Sequence, residues 1–163
     1  MSGSPSPAEG RDARPAEDPG VARLMRPPTV TVEPDAHLAS AAYLMKRSGD
    51  SALVVTDDDE RRRPLAIITD ADVTQAVADG RNLNDTRINH LQLPRPVTVG
   101  PQTPVPEAAE RMLELGLQHL PVVEDGRLVG LVDLASVCRA LLEGQRTPPP
   151  HPDETAGKAA HWA

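Results

Sequence analysis

Thr69 and Asp72 stand three residues apart, directly after the apolar run Leu65 to Ile68. If a helix begins there, its first backbone N–H groups have no partner within the helix, and together with a Thr hydroxyl they can hold an anion such as phosphate. A carboxylate one turn in can accept bonds from a pair of neighbouring hydroxyls. The same Thr-x-x-Asp spacing is also that of a capping box, which satisfies a helix start without any ligand. Spacing leaves both readings open. Asp70 and Asp72 lack the further oxygen ligands a divalent cation needs, so no metal site is expected.

Other reactive side chains have plainer readings. His119, in Gln118-His119-Leu120-Pro121, reads as a strand histidine with a satisfied hydrogen bond. Arg61-Arg62-Arg63 follows Asp57 to Glu60 in a charged turn of the kind that is usually solvated. Cys138 is expected to pack on the apolar side of the last helix, and His151 and His161 have no metal-ligand spacing. With no Ser, His and Asp series, glycine-rich phosphate loop or paired general acid and base, catalysis is not expected.

The 163 residues carry a formal charge of −7, with 39% hydrophobic residues, eighteen prolines and one cysteine. A lone cysteine excludes an internal disulfide framework, so a reducing, cytoplasmic setting is expected. No window approaches the eighteen or more apolar residues of a membrane span. The acidic balance opposes binding to phosphate polymers, and the absence of Phe removes base-stacking platforms, so no nucleic acid partner is expected. Residues 1–20 and 145–163 have too few apolar groups to offset the entropy of ordering them and read as disordered tails.

Between Val21 and Gly144 the chain repeats itself. At an offset of about 67 residues, Val30-Thr31-Val32 falls on Val97-Thr98-Val99, Ala41-Ala42 on Ala108-Ala109, Met45 on Met112 and Gly49 on Gly116. Beyond Asp58 the offset drops to about 64, matching Ala71, Val73, Ala76 and Gly80 to Ala135, Val137, Ala140 and Gly144. This divides the core into a first repeat over 21–80 and a second, with its leading linker, over 81–144. Within a repeat the hydrophobic period switches. Thr29 to Val32 is a β-branched run; Leu38, Ala41, Ala42 and Met45 share one helix face, capped by Asp35 and ended by Gly49. Ala52 to Thr56 and Leu65 to Ile68 read as strands, and a helix follows from Asp70 to about Asp79. In the second repeat Thr103 and Pro104 form the cap and Glu124-Asp125-Gly126 a tight turn. Short helices over 21–25 and 85–91 are expected to lead each copy.

Two copies in this order, with the strings SALVVTDDDERRRPLAIITDADV and LQHLPVVEDGRLVGLVDLASV, resemble a tandem pair of CBS domains, a Bateman module. The resemblance implies an α/β fold of two βαββα repeats about a pseudo-two-fold axis. It also implies clefts that in many relatives bind adenosine compounds, and assembly as a homodimer. Carried onto this chain, the nucleotide motif is Ala66-Ile67-Ile68-Thr69-Asp70-Ala71-Asp72, with Asp72 for the ribose hydroxyls, Ile68, Thr69 and Asp70 beside it, and His119 lining the cleft. Ala66 stands where the family has glycine. The matched place in the second repeat, Gly130-Leu131-Val132-Asp133-Leu134-Ala135-Ser136, exchanges Thr for Asp133 and Asp for Ser136, a degenerate site. The expected function is that of a stand-alone regulatory or sensor module taking AMP, ADP, ATP or S-adenosylmethionine at most once per chain, acting on an unidentified regulated protein. The alternative is a ligand-free dimerisation and interaction module.

Overall fold

The computed structural model describes residues 20–27, 30–57 and 62–145. The expected tails lie outside these residues, apart from Gly20 and Gln145. The first repeat runs β1 (Thr31–Val32), α1 (Leu38–Ser48), β2 (Ala52–Thr56), β3 (Pro64–Thr69) and α2 (Asp70–Ala78). The second runs α3 (Val105–Leu115), β4 (His119–Glu124), β5 (Arg127–Asp133) and α4 (Leu134–Gly144). In the first sheet β1 pairs parallel to β2 and β2 antiparallel to β3; in the second β4 pairs antiparallel to β5.

Each repeat closes its own core. Leu38, Ala41 and Met45 of α1 pack on Leu53 and Val55 of β2, Ala66 and Ile68 of β3 and Ala76 of α2. Val105, Ala108 and Met112 of α3 likewise pack on Leu120, Val122, Val132, Val137 and Ala140. β2 is buried at all five positions: its other face, through Ala52 and Val54, is turned towards Arg26 and towards Leu131 of β5, with which it lines a small pocket. Asp125 and Gly126, both at positive φ, form the tight turn between β4 and β5.

The second repeat lacks a full counterpart of β1. Thr31 pairs with Val54 and Val32 with Val55, but only Val99 pairs with Val122. The residue facing Thr98 by the repeat offset is Pro121, which has no N–H to give a ladder. Proline thus removes half of that short strand pair.

The expected helix caps are corrected. Asp35 does not cap α1; His37 occupies the cap position without a side-chain bond. The first N–H groups of α1 are instead taken by tertiary partners, Leu38 N donating to Thr86 O at 2.9 Å and Ala39 N to Leu83 O at 3.0 Å. Thr103 does not cap α3 either: its Oγ1 accepts from Gly100 N within the preceding turn. Cys138 is exposed, because Val137 and Ala140 define the buried stripe of α4 and Cys138 falls beside it.

The leading segments form single 3-10 turns, Gly20–Arg23 and Ile88–His90, shorter than the expected helices. Each docks by the same pair of bonds. Ile88 N donates to Ala36 O and Asn89 N to Pro34 O; Val21 N donates to Thr103 O and Ala22 N to Pro101 O. These are equivalent residues under the repeat offset, so the leader of each repeat docks on the other repeat. Fully buried Val21 anchors one exchange and Ile88 the other, each such side chain contributing about 1.5–3 kcal/mol. Arg26 then pairs with Leu131 through two backbone bonds of 3.0 Å.

This docking explains Gly130. A Cβ there would lie 2.7 Å from Met25 Sδ and 2.8 Å from Met25 Cβ, so the glycine makes room for the exchanged leader. Ala66, its counterpart, turns its methyl into the first core and does not line the large cleft described below. Gly130→Ala should destabilise the protein by about 1–3 kcal/mol through displacement of Met25, measured by urea unfolding. A Met25→Ala background should recover part of that loss.

Candidate functional site

β3 carries Thr69 in extended conformation to the start of α2, where it forms a full capping box with Asp72. Thr69 Oγ1 accepts from Asp72 N at 3.2 Å, while Asp72 Oδ2 accepts from Thr69 N at 2.8 Å and from Thr69 Oγ1 at 2.7 Å. The capping reading is therefore realised, and it spends both the hydroxyl proton of Thr69 and one carboxylate oxygen. Both bonds to the Asp72 carboxylate fall on Oδ2; Oδ1 accepts none from a described residue.

Around this junction lies a cleft of about 640 Å³. Thr69, Asp70 and Asp72 form one side, with Gln118 and His119 from the start of β4 beside them. Leu93, Pro96, Val97, Leu115 and Leu117 supply an apolar wall. Ile68 does not belong to the cleft: it is fully buried in the first core, and strand alternation puts Ile67 on the cleft side instead. Arg63 of the charged turn is held by Asp57, with Arg63 Nε 2.8 Å from Asp57 Oδ2, and does not line the cleft; Arg61 lies outside the described residues.

A second cleft, about 480 Å³, occupies the equivalent place in the other repeat, lined by Arg26, Asp50, His119 and Asp133 among others. Its chemistry differs. Asp133 caps α4, accepting from Ser136 N at 2.8 Å and Ser136 Oγ at 3.1 Å. Arg26 Nη1 lies 2.7 Å from Asp50 Oδ1 and Arg26 Nη2 3.6 Å from Asp133 Oδ2. By the repeat offset Arg26 matches Leu93 and Asp50 matches Leu117, so an ion pair stands here where the first cleft has two leucines. The Arg26 charge partly offsets Asp133, so the difference between the clefts does not rest on the carboxylate alone. The apolar wall of the first cleft escaped motif reasoning; the offset extended into the leaders was the signal that could have found it.

His119 borders both clefts. Burial holds its pKa below the ordinary value of 6.5; among the charges facing it, Asp133, Asp70 and Asp50 act upward and Arg26 downward. For Asp133, burial acts upward, but the hydrogen bonds from Ser136, with Arg26 and His119, outweigh it and hold the pKa below 3.8. The folded state thus binds fewer protons than the unfolded chain at both residues. The His119 contribution is complete above pH 6.5 and is lost as pH falls through that value towards the lower folded pKa. That of Asp133 is lost only below about pH 4. Unfolding free energy should therefore decline on acidification below pH 6.5, and His119→Gln should flatten that first decline, as measured by urea unfolding across pH.

The paired repeats, reciprocal leaders and strand–helix clefts define an α/β tandem-repeat module with two non-equivalent ligand-sized sites. The sequence profile of the CBS domain matches residues 21–79 and 88–143, and the chain belongs to the CBS-domain family. It is 32% identical over 124 residues to an uncharacterized 17.7 kDa protein of Acidianus ambivalens, covering 76% of this chain and 73% of that one. It is 29% identical over 119 residues to an uncharacterized protein of Methanopyrus kandleri, covering 72% of this chain and 60% of that protein. Among solved structures, a CBS domain protein from Pyrobaculum aerophilum complexed with AMP superposes with a TM-score of 0.70 at 28% identity, covering 77% of this chain and 96% of that one. No helix among the described residues is long and apolar enough to cross a membrane.

Proposed function

We propose that this protein is a regulatory CBS module that binds one adenosine-type ligand per chain, in the cleft at the β3–α2 junction. The observation that carries the reading is the convergence of Asp72, with Oδ1 turned to no described residue, and the apolar wall of Leu93, Val97 and Leu117 on one space of about 640 Å³. An ionised carboxylate oxygen suits a ribose diol and apolar side chains suit an adenine face. AMP, bound to the Pyrobaculum structure, is the first ligand to try, with ADP, ATP and S-adenosylmethionine beside it. The module works by binding, without a catalytic step, in the cytoplasm. Calorimetric titration of these compounds tests the reading; absence of binding by all of them would sink it.

The competing reading, an interaction module without ligand, draws on the completeness of the Thr69–Asp72 capping box, which needs nothing added. Both readings include a homodimer. Each of the four helices leaves a large apolar side chain exposed: Tyr43 on α1, Val77 on α2, Leu113 on α3 and Leu142 on α4. Light scattering of the full chain should give twice the mass of one 17.4 kDa chain at micromolar concentration. Leu113→Glu with Leu142→Glu should return it to the monomer.

A further inference from the structure

Arg95 lies midway along the segment that crosses the first cleft, between Pro94 and Pro96. That segment is anchored at both ends: Leu93 packs against the first core and Val97 against the second. Both prolines fix their own φ, and Pro96 keeps Arg95 out of the helical region, so the arginine is presented by a stiff, extended stretch. It is exposed, it borders the cleft, and it forms no ion pair with any described carboxylate. Arg26, the cation of the second cleft, is already held by Asp50 and Asp133. Each cleft therefore has one arginine at its border, and among the described residues only that of the first has no carboxylate paired with it.

Beside Arg95, the lining side chains that carry an N–H for an anion are Gln118 and His119, and burial holds His119 towards its neutral form. The hydroxyl proton of Thr69 is directed at Asp72, and Asp70 and Asp72 are themselves negative. Adenosine alone would satisfy Asp72 and the apolar wall and leave Arg95 unused. We propose that Arg95 is the specificity-determining residue of this cleft, selecting adenosine compounds that carry an anionic group at the 5′ side. A guanidinium matches a phosphate or a carboxylate through paired N–H donors. The 5′-phosphate of AMP and the amino-acid carboxylate of S-adenosylmethionine share this chemistry, and Asp70 stands near enough to the same cleft to favour the ammonium of the second.

This inference rests on the proposed adenosine site, and one experiment separates the two. Adenosine, AMP and S-adenosylmethionine are titrated by calorimetry into the full-length protein and into Arg95→Ala and Arg95→Lys. The wild type should bind AMP or S-adenosylmethionine about tenfold or more tightly than adenosine. Arg95→Ala should bring the anionic compound to within about twofold of adenosine, Arg95→Lys should keep only part of the preference because an ammonium keeps the charge but not the paired N–H donors, and adenosine itself should be unaffected. Loss confined to AMP identifies a phosphate reader and loss confined to S-adenosylmethionine a carboxylate reader; either supports the assignment. Equal affinity of the wild type for all three, or a preference that survives Arg95→Ala, overturns it while leaving the adenosine site in place. Absence of all binding removes the site and the role of Arg95 with it.

Discussion

AMP at a hundred times its dissociation constant should raise the stability of the folded state by about 2.7 kcal/mol, a midpoint increase of roughly 5–10 °C for a core of this size. The size of the effect depends only on ligand excess and on the ligand avoiding the unfolded chain, so a thermal scan with and without AMP measures it directly. Asp72→Ala should abolish the rise. The substitution removes the carboxylate proposed for the ribose, where hydrogen bonds to a charged group contribute about 1.5–3 kcal/mol each. It also removes half of the capping box, because Thr69 N and Thr69 Oγ1 both donate to Asp72 Oδ2. The unliganded midpoint should accordingly fall, by about 0.5–1 kcal/mol of stability, since Thr69 still accepts from the backbone N–H at position 72. Asp72→Asn separates the two effects: it keeps an acceptor for the cap and loses the charge. An AMP-induced rise that persists in Asp72→Ala would move the ligand elsewhere.

Titration should show one nucleotide per chain. The two clefts occupy equivalent places in their repeats but differ at equivalent pairs that include Thr69 and Asp133, Asp70 and Leu134, Asp72 and Ser136, Leu93 and Arg26, Leu117 and Asp50. Ser136 offers a ribose no charged acceptor, and its Oγ already donates to Asp133. The Arg26–Asp50 pair occupies the place of two apolar side chains and would have to be broken or solvated to admit an adenine ring. Asp133→Thr with Ser136→Asp should therefore leave the stoichiometry near one, since Arg26 remains held by Asp50. Adding Arg26→Leu and Asp50→Leu should move it towards two. The added pair is affordable for the fold because Arg26 is 53% exposed and Asp50 23%, and such half-exposed pairs contribute about 0–1 kcal/mol. Two equivalent sites in the unmodified protein would refute the asymmetry.

The doubled repeat, the alternation of strands and helices and the junction at Thr69 were legible in the sequence because each is written in local periodicity and in a self-match that needs no coordinates. Gly49 ends α1 and Gly116 ends α3 in left-handed conformation, as their positions after the apolar stripes require. The Asp133 cap and the Thr69–Asp72 box were legible for the same reason, being interactions across three residues. Local rules failed where a distant segment supplied the partner. Asp35 has the right type for a cap, yet α1 takes its partners from Thr86 and Leu83; Thr103 fails for a local reason, its Oγ1 being taken by Gly100 N. Ile68 and Ile67 are indistinguishable as letters, and only the choice of the buried face decides which borders the cleft.

The sequence alone determined the two-repeat α/β plan and the residues that differ between matched positions, since those depend on composition, period and offset. Tertiary structure decided how the leaders exchange, that Gly130 clears Met25, that Arg26 is held by two carboxylates from different repeats, and that Arg95 borders the first cleft with no ion pair among the described residues. The physical reason is that docking of a leader joins residues far apart in the chain, Ile88 to Ala36 and Val21 to Thr103, through backbone bonds and burial that leave no periodic trace.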